Sequence, residues 1–80
     1  MKKQLEVLYL KDNEWFAIGD APHYIKKENV IKFLIEEGYI ETDTDENKVY
    51  LIDDGYKFIF CNKENDQQRY AVEYDDLEDL

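Results

Sequence analysis

Cysteine is almost missing from this chain. Cys61 stands alone, so no disulfide can close within it. Histidine and proline also occur once each, as His23 and Pro22. A zinc site needs three or four nitrogen or sulfur ligands, and one His with one Cys cannot supply them. No metal ligand and no cofactor is therefore assigned. A Cys–His nucleophile pair needs a base or a cationic neighbour to activate the thiol, and no local context around His23 or Cys61 provides one. No catalytic residue is assigned, and the chain is expected not to be an enzyme. Long apolar runs are absent as well. After Met1-Lys2-Lys3 the residues alternate, and Glu6 interrupts. That leaves no secretory core of about 7–15 apolar residues and no stretch of about 20 that could span a bilayer. The expected compartment is the reducing cytoplasm.

What the chain has in quantity is acid and aromatic surface. Its 80 residues hold 20 Asp and Glu against 10 Lys and Arg, a net charge of −10. The split is uneven. Residues 1–40 carry seven acids and six lysines, whereas residues 41–80 carry thirteen acids and four bases. A surface of that sign repels DNA, RNA and anionic lipid and speeds encounter with basic proteins. With 44% hydrophobic residues and 12 aromatics, the chain is too apolar to stay disordered. Residues 1–80 are read as one domain, with 75–80 as an acidic tail expected to fray. A domain of this size buries only about 60–65% of its unfolded surface, which leaves few core positions for a deep catalytic cleft. Nine of the ten basic residues are Lys, a usage suited to an AT-rich genome such as that of a low-GC bacterium or its phage.

Hydrophobic periodicity predicts α+β. Residues 5–10 alternate as a strand, residues 11–14 are a polar turn, and residues 15–18 form a second short strand, giving a hairpin. Asp20 fits a helix N-cap and Pro22 a first turn. Val30, Ile31, Leu34 and Ile35 recur at helical spacing, which predicts a helix over residues 24–37 ended by Gly38. Residues 48–52, 56–61 and 69–74 read as strands, with Asp53-Asp54-Gly55 a tight turn and residues 41–47 an acidic loop or hairpin tip. Tyr39-Ile40 begins an extended segment. The order is ββαββββ or ββαβββ, one amphipathic helix packed on an antiparallel sheet.

Asp43-x-Asp45-x-Asn47 copies the opening of a calcium loop, but Lys48 and Asp54 stand where that loop needs Gly and a bidentate Glu. A solvated turn is the expectation there. The run from Asn29 to Ile40, with its Leu34…Gly38-Tyr39-Ile40 exit, resembles the end of a winged-helix recognition helix. Val49 to Tyr56 is similar to the return strand of the wing, so the resemblance covers roughly residues 28–60. It implies a helix presenting Lys26, Lys27, Asn29 and Lys32, and a wing tip at 41–47. Asp43, Asp45 and Glu46 would then stand where phosphate contacts call for bases.

In composition, the chain looks like small acidic phage inhibitors of host nucleases and like the immunity proteins of nuclease toxins. The function expected is an acidic protein-binding module, an inhibitor occupying a basic, nucleic-acid-binding surface of its target, in its sharpest form a DNA mimic. A regulatory or structural interaction module is the alternative. Carboxylates and tyrosines carry the expected site: Glu41, Asp43, Asp45, Glu46, Asp53, Asp54, Tyr56, Glu73, Tyr74, Asp75 and Asp76. Together they offer charge-assisted hydrogen bonds and cation–π faces to Lys and Arg. The partner expected is a basic protein such as a nuclease or DNA-binding protein, with no direct nucleic-acid or membrane contact.

Overall fold

The polar turn after the first strand is a two-residue hairpin connection. In the computed structural model, which describes residues 4–64 and 68–74, Asp12 and Asn13 adopt φ of 52° and 64°. Their short polar side chains tolerate this left-handed region, and the paired twist suits a right-twisted hairpin. It joins β1 (Glu6–Lys11) to β2 (Glu14–Asp20).

The helix is shorter than its periodicity predicts. A 3-10 turn spans Lys27–Asn29 and α1 covers only Val30–Glu36. The backbone explains the difference: Tyr24 has a φ of 62°, and Lys26 is extended at φ −92°, ψ 149°. Both break a helical path. Asp20 ends β2 instead of capping a helix, and Pro22 lies outside the helix. Seven residues are too few for an isolated helix in water, so packing holds α1 in place. Val30 and Leu34 are fully buried against the sheet. Its end is a complete Schellman closure, with Gly38 N–H donating to Ile35 O at 3.1 Å and Tyr39 N–H to Leu34 O at 2.9 Å. Gly38 takes the φ of +81° that this closure requires.

After a 3-10 turn at Glu46–Lys48 come β3 (Val49–Asp53), β4 (Lys57–Asn62) and β5 (Gln68–Glu73). Tyr39-Ile40 adds no strand, so the order is ββαβββ. The five strands form one antiparallel sheet, ordered β2-β1-β5-β4-β3. The last strand therefore docks beside the first, through Val7–Val72 and Tyr9–Tyr70, which closes the sheet over the full length of the chain. Both outer positions, β2 and β3, are edges.

Strand alternation sorts side chains onto two faces. Val7, Phe58, Phe60 and Val72 meet α1 and form the main core with Leu5, Ala21 and Val49. The opposite face holds a second cluster of Ile59, Cys61 and Ala71, partly covered by Leu8, Trp15 and Tyr50. No helix of the described residues is long and apolar enough to cross a membrane.

Candidate functional site

The carboxylates expected to act together fall into two groups, at the two ends of edge strand β3. The strand between them, Val49–Asp53, spans about 13 Å at ~3.3 Å per residue step. Asp53, Asp54, Tyr56, Glu73 and Tyr74 gather at its C-terminal end. Glu41, Asp43, Asp45 and Glu46 precede its N-terminal end. Asp75 and Asp76, with the acidic tail, lie outside the described residues.

In the first group the carboxylates are largely engaged within the fold. Asp53 Oδ1 accepts from the Gly55 amide at 2.9 Å and from the Tyr74 hydroxyl. Those two bonds hold the Asp53 carboxyl below its ordinary value of 3.8, with a smaller contribution from the Lys27 charge. Asp54 Oδ1 accepts from the Tyr56 and Lys57 amides, both at 2.9 Å, and its Oδ2 meets Lys57 Nζ at 2.6 Å. Partial burial works against ionisation of Asp54, yet these bonds and the Lys57 charge outweigh it and lower its pKa. Glu73 Oε1 accepts the Glu6 amide at 3.0 Å, tying the end of β5 to the start of β1. Tyr74 packs against Phe58 in a tilted pair, with ring centroids 4.2 Å apart. Asp53, Asp54 and Tyr56 are nonetheless exposed, Tyr56 at 76%.

The second group is differently placed. Residues 41–47 are not a hairpin tip: they link α1 to β3 through two consecutive local turns. Thr44 Oγ1 donates to Glu41 O at 2.6 Å, and Asp45 Oδ1 caps the following 3-10 turn by accepting the Asn47 amide at 2.9 Å. Side chains that hydrogen-bond their own backbone in this way hold a loop's shape without core packing. Glu41, Asp43, Asp45 and Glu46 are all exposed. Ion pairs between described residues occur away from this loop, at Lys32–Glu36 and Lys57–Asp54. Nor do the described residues bring three or more His, Cys, Asp or Glu together in a way that could hold a metal ion.

Beside this loop lies a cleft of about 360 Å³, which sequence reasoning missed. Tyr39, Phe60 and Tyr70 give it aromatic walls, with Glu41, Thr44 and Arg69 among its polar lining. Its residues come from the connection after α1 and from β3, β4 and β5, so it exists only once β5 has docked. The second apolar face was missed too, although β4 carried a signal. Phe58-Ile59-Phe60-Cys61 is apolar at both parities, as in a strand buried on both sides. Trp15 lies across that face, with Lys57 Nζ 5.7 Å from its ring centroid. Cys61 is buried in this cluster, while His23 is exposed on the connection ahead of α1.

No protein-family model, curated protein or solved structure matches the chain.

Proposed function

We propose that this chain is an acidic protein-binding module that occupies a basic, nucleic-acid-binding surface on a target protein and thereby inhibits it. The observation that carries this reading is the segment Glu41–Glu46: four exposed carboxylates within six residues, shaped by local turns and free of ion pairs to described cations. Carboxylates on a shaped loop keep their full charge for a partner and lose little freedom on binding. Nucleic-acid-binding proteins present dense Lys and Arg arrays, because duplex DNA carries a charge about every 1.7 Å. The adjoining cleft adds aromatic contact area beside the loop from Tyr39, Phe60 and Tyr70, while Arg69 in the same lining opposes a cation inside it, so the carboxylates of the loop itself carry the charge recognition. Tyr56 and the Asp53–Asp54 turn form a second contact at the far end of β3.

Capture from an extract of the cell that makes the chain tests this. The immobilised 80-residue protein should retain a basic nucleic-acid-binding protein that duplex DNA displaces and that elutes as salt rises. Retention that is indifferent to salt and DNA would favour an apolar interaction module instead.

A further inference from the structure

The other edge of the sheet lies away from these carboxylates and has a different character. β2 is the longest strand, Glu14–Asp20, and no strand among the described residues pairs with its outer side. Phe16 is 47% exposed and Ile18 43%, the most exposed large aliphatic or aromatic side chains within any strand. Native edges are usually protected by a Lys, a Pro or a very short length, and β2 has none of these. A bulge does occur, for Ala17 pairs with Leu8 and Gly19 with Val7, leaving Ile18 as the extra residue. It fails to hide Ile18.

The geometry points to β2 as an acceptor for an extended cationic polypeptide segment, which joins the sheet as a sixth strand. Charge complementarity selects this occupant. Glu14 and Asp20 close the strand at its two ends, and Phe16 and Ile18 lie between them. Glu14 stands opposite Lys11 and Asp20 opposite Glu6 on β1, so the edge is net negative and most so at the Asp20 end. A complementary strand has Lys or Arg at both ends and apolar residues between, with backbone hydrogen bonds supplying affinity. A second copy of the chain fits poorly. Antiparallel self-pairing centred on Ala17 sets Glu14 opposite Asp20 twice, and each copy carries a net charge of −10. This inference does not rest on the role proposed for residues 41–46.

The test titrates the isotope-labelled full chain with an end-blocked peptide, Lys-Thr-Val-Thr-Val-Thr-Lys, and with its counterpart bearing Glu at both ends. Saturable amide shifts centred on residues 14–20, with slowed amide exchange there, are expected for the Lys peptide only. Phe16→Lys combined with Ile18→Lys should weaken binding by about tenfold or more, since the exposed apolar contacts are lost and like charges are added. Replacing Asp43, Asp45 and Glu46 by their amides should leave peptide binding intact, which separates this edge from the acidic loop. The inference is overturned by shifts centred elsewhere, by equal binding of the Glu peptide, by no saturable binding, or by self-association through β2 without peptide.

Discussion

Gly19 shows how little room a single residue has in this fold. A Cβ at that position would lie 2.0 Å from Tyr39 Oη and 3.2 Å from its Cζ. Tyr39 cannot simply swing away, because its ring also meets Phe33 and Tyr70 at centroid distances of 6.5 and 6.3 Å. Gly19→Ala should therefore destabilise the fold by about 1–3 kcal/mol in urea unfolding, the usual cost of overpacking. Tyr39→Phe in the same chain should recover part of that loss by removing the nearer atom. Asp54 gives a pH-dependent counterpart. Its folded pKa lies below the ordinary 3.8, so its stabilisation is complete above that value and fades as pH falls through the lower, folded one. Asp54→Asn should be less stable than the parent at pH 6, and the gap should shrink as pH falls below the ordinary 3.8 and through the lower, folded value. A gap that persists at low pH would mean the charge contributes nothing. The Asp53-Asp54-Gly55 turn was legible from residue type alone, because Asp and Gly signal a tight reversal. The engagement of Asp53 by Tyr74 was not, since 21 residues separate them.

At the scale of elements, Gly38 is the cleanest target. It has a φ of +81° and open space around an added Cβ, so Gly38→Ala isolates the backbone term. The expected loss is about 1 kcal/mol, and for a domain this small it lowers the melting temperature by roughly 4–8 °C. Gly38→Asn should lose less, because Asn adopts the left-handed region more readily. Strand positions followed directly from alternation at Leu5, Val7 and Tyr9 and at Tyr70, Val72 and Tyr74. The helix end was equally plain, for Gly38 follows an apolar stripe. The helix start was misread, because Asp20, Pro22 and the apolar Tyr24 and Ile25 imitate a capped first turn. What decides it is the left-handed Tyr24 and the extended Lys26, a path that propensity does not encode. Sheet order was beyond sequence reasoning too, since the β1–β5 pairing joins segments more than sixty residues apart.

Across the described part of the molecule, the carboxylates of the expected site form neither one continuous patch nor an even scatter. The fold sends the described carboxylates of that site to both ends of β3 and binds those at one end into turns and into Lys57. A count of acids along the chain cannot separate carboxylates used for folding from carboxylates left on the surface. The hydrogen bonds do, and they move the weight of the proposed site to Glu41–Glu46. The decisive measurement is the affinity of the captured basic partner across a salt series, for the parent chain and for Asp43→Lys combined with Asp45→Lys and Glu46→Lys. A second variant, Asp43→Asn with Asp45→Asn and Glu46→Gln, removes the charge yet keeps the side-chain oxygen that caps Asn47. The account predicts that the parent's affinity falls steeply as salt rises. It also predicts that the amide variant loses about tenfold or more while remaining folded, and that the lysine variant loses more still. Parent-like affinity in both variants, with an unchanged salt dependence, would contradict it.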